Sequence, residues 1–264
     1  MNVKLGLVMG LLAVFGPAFA KESVFFVGAH PDDSEGFAAT AFLLRETYDL
    51  HVIDLTRGER GLGPQGLKDG TTAKKRVAEE EAACAYLGAT PHFLSEVNGW
   101  CCAGQKSVDQ LVELLRQYRP KAVFTHWPMD RHSDHVQTAA VVCHALDEVR
   151  KELQPEFYYF EVMLHQTRNW HPIYSVDVTS TIENKLTMLR KYECQNDGDE
   201  LAEANRKRAA LRGSQREPRC SFAETFTTAD GRPIKGGVLE SLGSYVVTIG
   251  GAPFPSVLSG DSHW

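Results

Sequence analysis

The sequence predicts an α/β fold, a three-layer Rossmann-like arrangement with a mostly parallel sheet and helices on both faces. Three observations carry this. Short apolar runs alternate with longer amphipathic or charged stretches over most of the chain. The runs are apolar at consecutive positions rather than alternate ones, as strands buried on both faces are. The stretches between them are long enough for crossover helices, and one closes on Gly88, a helix stop signal.

Taken in order, residues 23–29 make the first strand, and a helix follows over residues 34–47 with Phe37, Ala41 and Leu44 on one side. Residues 51–56 are the second strand, leading into a loop over 58–70. Next come a charged helix over 72–87, a strand at 92–94, a helix over 107–118 and a fourth strand at 122–125. A helix over 134–152 and a fifth strand over 156–163 complete the regular part. After Val176 the alternation weakens to helices over 182–192 and 201–212, then a Gly-, Ser- and Pro-rich tail from Asp230 without recognisable chemistry. No repeat or linker divides residues 21–264, which read as one domain. In a sheet ordered 3-2-1-4-5, sites lie beyond the carboxyl ends of the strands where the order reverses, between the first and fourth.

Composition excludes some partners. The 264 residues are 43% hydrophobic and 23% charged, with a net charge of -6, so no excess of cations is present to displace counterions from nucleic acid. The basic stretch at 205–212 reads as the exposed side of a helix. At the N-terminus, Lys4, an apolar run over 5–15 and Ala18-Phe19-Ala20 read as an export signal cleaved after Ala20. That run is shorter than the ~20 residues a membrane span needs, so a secreted or periplasmic protein without a stable span is expected. Six cysteines allow up to three disulfides in such a compartment, without a CxxC pair to bind zinc.

Two clusters carry chemistry. Ala29-His30-Pro31-Asp32-Asp33-Ser34-Glu35 ends the first strand, and Met129-Asp130-Arg131-His132-Ser133-Asp134-His135 follows the fourth. Two imidazoles and a carboxylate meeting at the switch point would make a three-ligand site with an open position, as in catalytic zinc centres. The most economical ligand set is His30, Asp33 and His135. Asp32, adjacent to Asp33, is then placed to take a proton from water as general base. His132, one helical turn before His135, could donate to the far side of a substrate carbonyl, and Asp134 could orient one of the imidazoles. The same aspartates and Ser34 would also serve as helix caps, and it is the pairing of both clusters at one predicted point that favours a site. His126, His165 and His171 are further candidates to line a pocket, whereas His51, His92, His144 and His263 read as structural.

These motifs resemble the PIG-L or LmbE-like family of zinc-dependent N-acetylglucosaminyl deacetylases. The family's A-H-P-D-D-E stands here as Ala29-His30-Pro31-Asp32-Asp33-Ser34, with Glu35 one place late, and its H-P-D-H as His132-Ser133-Asp134-His135. Leu55-Thr56-Arg57-Gly58-Glu59 is similar to its L-T-x-G-E loop. Arg76, Glu80, Ala83 and Leu87-Gly88 follow its third-helix pattern, and Tyr192-Glu193-Cys194-Gln195 and Ala223-Glu224-Thr225-Phe226 its later segments. The resemblance implies zinc on His30, Asp33 and His135, Asp32 as base, and His132 as acid or oxyanion stabiliser tuned by Asp134. It adds Tyr192 as a second polarising group, with a packed aromatic on a helix as the alternative, and Arg57, Glu59 and Asn98 as sugar contacts, with a solvated salt bridge as the alternative for Arg57 and Glu59. Asn98 stands where many members carry an acid, and Trp100-Cys101-Cys102 is an unusual insertion beside it that could cover the site.

The implied function is removal of an N-acetyl group from an amino sugar or its conjugate, with Zn2+ or another divalent metal as cofactor. A zinc amidase acting on a thiol conjugate or a larger acyl group, or a catalytically silent sugar-binding relative, are the alternatives on the same scaffold. A nucleotide-binding protein is disfavoured, because no G-x-G-x-x-G follows the first strand.

Overall fold

The structure is a computed structural model that describes residues 20–62 and 70–249. Its strands are β1 (Ser23–Gly28), β2 (Asp49–Asp54), β3 (Ala89–Phe93), β4 (Ala122–His126), β5 (Glu156–Phe160), β6 (Tyr174–Asp177), β7 (Ala223–Thr228) and β8 (Val246–Thr248). They form one 8-stranded sheet in the order β3-β2-β1-β4-β5-β7-β6-β8. The first five run parallel, which is the expected 3-2-1-4-5 half. The last three add antiparallel at the β5 edge.

The helices are α1 (Ala38–Leu44), α2 (Thr71–Leu87), α3 (Gln105–Tyr118), α4 (Ser133–Val149), α5 (Ile182–Leu189) and α6 (Glu200–Gln215). In β1, Val24 and Phe26 point into a core shared with α1, α2, α5 and α6, while Phe25 and Val27 point into a second core under α3 and α4. A strand covered on both faces by apolar side chains favours apolar residues at consecutive positions, which is why Val24, Phe25, Phe26 and Val27 form an unbroken run. No helix among the described residues is long and apolar enough to cross a membrane. The export signal expected over residues 1–20 lies, but for Ala20, outside the described residues.

Three expectations need correction. The helix expected over 34–47 is a 3-10 turn, Asp33–Gly36, followed by α1 from Ala38. Phe37 breaks the run with φ −142°, and the Glu224 carboxylate accepts the N–H groups of Ala39 (3.2 Å) and Thr40 (2.8 Å), fixing a new helix start there. Strands β6 and β7 were not foreseen. All six positions of β7 are buried although its residues are Ala-Glu-Thr-Phe-Thr-Thr. Its polar groups find partners inside, as Thr225 does on Glu161 at 2.7 Å, so burial left no apolar trace in the sequence. Finally, all six cysteines are free thiols, with no disulfide formed.

A buried charged cluster ties the helices of one face together. Lys185, 0% exposed, donates to Glu224 at 2.7 Å and to the Glu35 carbonyl. Arg208 donates to the same carbonyl and to Asn205 at 2.8 Å, and Arg212 grips Glu161 through two bonds of 2.7 and 2.6 Å. Glu224, read from the sequence only as part of a family segment, is thus an internal helix cap and counter-ion.

Candidate active site

The first cluster leaves the end of β1 and the second leaves β4, its neighbour across the switch point. Asp33 folds back over the strand end, where Gly28 leaves room for it. A Cβ on Gly28 would sit 2.9 Å from the Asp33 Cβ. One carboxylate oxygen of Asp33, Oδ2, accepts from the N–H groups of Ala29 (2.7 Å) and His30 (2.8 Å) and from His126 Nε2 (2.9 Å). The carboxylate is therefore pinned through Oδ2, while Oδ1 faces His135 Nε2 at 3.4 Å.

Both expected imidazole ligands are held from behind by a carboxylate. His30 Nε2 meets Asp134 Oδ2 at 3.0 Å and turns Nδ1 towards Asp33 at 3.6 Å. His135 Nδ1 lies 3.3 Å from Asp130 Oδ1 and turns Nε2 towards Asp33. Such outer carboxylates set the tautomer and raise the basicity of a ligating imidazole. Asp130 was quoted within the second motif but given no role. Its signal was an acidic residue two places before His132, whose backbone N–H it accepts at 2.8 Å.

The electrostatics separate these groups sharply. Burial works against ionising Asp33, but the His126 and His135 imidazoles outweigh it and hold its carboxyl well below the usual range. Burial likewise works against a charged His135, and Asp33 and Asp130 overcome it, raising the imidazole to about 10. For Asp134, burial is overcome by hydrogen bonds from His30 and the Gly99 N–H, and the group falls to about 2. Burial, with His135 nearby, drives His126 down to about 4. A position where an imidazole stays protonated to such high pH is one that favours positive charge.

The donors suit a divalent cation. The 3.4 Å between Asp33 Oδ1 and His135 Nε2 compares with the ~3.4 Å edge of a tetrahedron whose bonds are ~2.1 Å, the zinc–nitrogen and zinc–oxygen length. Two compact donor sets, each with its atoms within 4.8 Å of one another, are His30, His132 and His135, and Asp33, His126 and His135. The expected trio of His30, Asp33 and His135 is distributed over these two sets, with His135 common to both. His126, considered only as a pocket-lining residue, instead lies buried beneath Asp33, its ring stacked on His135 at 4.0 Å.

Asp32 sits beside this cluster in a strained conformation, φ 112°, that a non-glycine residue adopts at a cost of about 1–3 kcal/mol. Its carboxylate meets Arg76 Nη2 at 2.7 Å. Burial raises its carboxyl to about 6 despite that guanidinium, close to what a general base working near neutral pH needs. His132 caps α4, its Nδ1 accepting the Asp134 N–H at 3.2 Å, which leaves its proton on Nε2. Burial, together with the charges of His30 and His135, lowers its pKa and keeps it neutral more readily.

A cavity of about 420 Å³ opens over these groups, lined by His30, Asp32, Asp33, His132 and His135 on one wall. Arg60, Asn98, His165 and Gln195 line its remaining walls. Of the expected substrate contacts, only Asn98 reaches it. Arg57 turns away to the Leu94 carbonyl (3.0 Å), and Glu59 is engaged by the N–H groups of Arg57 (3.3 Å) and Asn98 (3.1 Å), so both brace the loop. Tyr192 is also displaced from its expected role. It is fully buried behind the site, its hydroxyl on Ser34 Oγ at 2.9 Å, where a substrate carbonyl cannot meet it.

Asp134 orients His30 rather than His132, and it also accepts the N–H groups of Gly99 (2.5 Å) and Cys101 (3.3 Å). The insertion is therefore moored to the site's edge and does not cover it, and Trp100 is 62% exposed. Among the other candidates, His165 lines the cavity and His171 is exposed outside it.

Comparison with known proteins follows this geometry. Residues 25–146 match the family profile described as PIG-L, GlcNAc-PI de-N-acetylase. A 1D-myo-inositol 2-acetamido-2-deoxy-alpha-D-glucopyranoside deacetylase of Thermobispora bispora is 32% identical over 152 residues, which are 46% of this chain and 50% of that protein. The chain thus spans about half the length of the 1D-myo-inositol 2-acetamido-2-deoxy-alpha-D-glucopyranoside deacetylases it matches. A 4-oxalmesaconate hydratase of Pseudomonas putida is 27% identical over 212 residues, 74% of this chain and 81% of that protein. In fold, N,N'-diacetylchitobiose deacetylase from Pyrococcus horikoshii superimposes with a TM-score of 0.67 at 21% identity, over 80% of this chain and 84% of that one. With both histidine–aspartate motifs inside the matched residues, the chain is similar to the PIG-L family over that stretch.

Proposed function

We propose that this protein hydrolyses the N-acetyl group of an amino sugar or its conjugate, with a divalent metal, zinc by the chemistry of the donors, held by His30, Asp33 and His135. The observation that carries the reading is the pair of aspartates at the end of β1. Asp33 is pinned and ionised beside two carboxylate-backed imidazoles, while its neighbour Asp32 is raised to about 6 and faces the cavity. Names of matched relatives support the substrate class, since both matched deacetylases act on acetamido sugars by their descriptions.

When bound, the metal would supply Lewis acidity to polarise the acetyl carbonyl and lower the pKa of water. The chain's own groups do the rest. Asp32, its Oδ1 steadied by Arg76, takes the proton of the attacking water. His132, its Nδ1 fixed by the Asp134 N–H, presents Nε2–H as a hydrogen bond to the developing oxyanion, and Asp32 passes the proton it took from water to the departing nitrogen. Acetate and a free amine leave. Acetate release from a panel of N-acetylated sugars, with and without chelator, tests the reading. Turnover confined to the metal-loaded protein is expected, and no release from any member of the panel would overturn it.

A second reading has a specific observation in its favour, because the match to the hydratase covers more of both chains than the matches to the deacetylases. The same base and cationic site could add water across a conjugated carbon–carbon double bond. Loss of alkene absorbance without acetate release would select it. Export belongs to the proposal as well, supported by Lys4, the apolar run at 5–15 and Ala18-Phe19-Ala20. N-terminal sequencing of protein recovered outside the cytoplasm, with Lys21 as first residue, is the corresponding test.

A further inference from the structure

Charges on the cavity wall are unevenly completed. Asp32 pairs with Arg76 at 2.7 Å, Asp33 is engaged by His126 at 2.9 Å, and Glu35 accepts from Asn205 Nδ2 at 2.7 Å. Arg60 differs. Its guanidinium lies 4.5 Å from the centre of the Trp100 ring, and no carboxylate among the described residues pairs with it. It nevertheless lines the same cavity as the two aspartates.

The placement of this cation is built rather than incidental. The Arg60 N–H donates to Asn98 Oδ1 at 3.2 Å, which fixes its backbone against the opposite loop. The side chain then crosses Gly99, where φ is +84° and a Cβ would stand 2.3 Å from Arg60 Nη1. Only glycine satisfies both conditions. The Gly99 N–H is itself bonded to Asp134 at 2.5 Å, the residue that holds His30, so the cation's seat and the metal site share one anchor. Trp100, otherwise an unexplained exposed aromatic at 62%, backs the guanidinium through a cation–π contact. A planar, permanently charged fork held open to a cavity is the usual recogniser of phosphate and carboxylate.

We propose that Arg60, positioned by Trp100 and Gly99, binds an anionic substituent on the non-reacting side of the substrate, so that the protein acts on acidic amino-sugar derivatives carrying a phosphate or a carboxylate. The proposal rests on the reading that this cavity holds the substrate, and deepens it by naming the group that selects it.

Calorimetric titration of the full, metal-loaded protein with N-acetylglucosamine, N-acetylglucosamine 6-phosphate and N-acetylmuramic acid tests it, with acetate release measured in parallel. At least one acidic sugar should bind on the order of tenfold or more tightly than the neutral one, as a bond to a charged group predicts. Which acid wins distinguishes phosphate from carboxylate. Arg60→Gln should erase the ratio between acidic and neutral sugars, Arg60→Lys should keep part of it, and Trp100→Ala should reduce it by loosening the guanidinium. Equal binding of all three sugars, or a preference that survives Arg60→Gln, would overturn the proposal. Absence of acetate from every sugar, with the Arg60-dependent preference intact, would instead remove the deacetylase reading and leave the anion site standing.

Discussion

Two clusters of buried charge in this molecule are built from different residue types and completed in opposite ways. Around Lys185, Glu224, Arg208, Glu161 and Arg212, each charge meets an opposite charge, a carbonyl or a helix N-terminus. Around Asp33, four histidines and four acids crowd a single point and drive each other apart in pKa, with His135 near 10, His126 near 4, Asp32 near 6 and Asp134 near 2. Glu35 belongs to both, its carbonyl receiving Lys185 and Arg208 while its side chain borders the cavity. Burial of charge is therefore not the mark of a site here. Separated pKa values, a strained backbone at Asp32 and an adjoining cavity are.

The sharpest way to break this contrast is at the base. Asp32→Asn should lower acetate release by about 10²–10⁴-fold with the metal still bound, the range of a lost general base. Its folding stability should change little, and loss of activity only in step with loss of fold would place Asp32 in the structural cluster instead. Next in size is Lys185→Met, which leaves Glu224 buried without its cation. A loss of about 3–5 kcal/mol in urea unfolding is expected, with activity per folded molecule retained. Asp130→Asn should be milder, weakening metal affinity about 10–100-fold through His135. A chelator competition series would show it, and an unchanged affinity would mean that Asp130 does not support His135 as a ligand.

The smallest effect concerns a histidine pair remote from the cavity. His51 Nδ1 lies 2.9 Å from His92 Nε2, and burial, aided by the His51 charge, lowers His92 to about 4 from 6.5. A depressed imidazole binds its proton more readily in the unfolded chain. Its contribution is thus complete above pH 6.5 and is lost as pH falls towards 4. His92→Asn should flatten the decline of thermal midpoint across that window, whereas an unchanged slope would assign the acid sensitivity elsewhere.

How much of this was legible in the sequence follows from the same contrast. The parallel half was readable because each strand is apolar on both faces, and both motifs were readable because they sit at the two strand ends that the topology brings together. β7 was not, since its threonines and glutamate are satisfied by partners far away in the chain, such as Glu161 for Thr225. Tyr192, Arg57 and Glu59 were misplaced because motif membership says which residues lie near a site but not which way a side chain turns. Arg60 was overlooked beside them, as nothing in a local pattern reveals that the loop at residues 97–101 leaves a gap for it over Gly99.

The adjacency of β1 and β4 also has a temporal side. His30 and Asp134, bonded to one another, are 104 positions apart, and closing so long a loop is entropically slow compared with forming local helices. During synthesis the first motif waits, incomplete, until β4 and the turn after it have emerged and docked. On the proposed reading, an ion offered to the nascent chain would find one histidine and two aspartates with nothing yet opposite them, so metal capture would report finished assembly rather than template it.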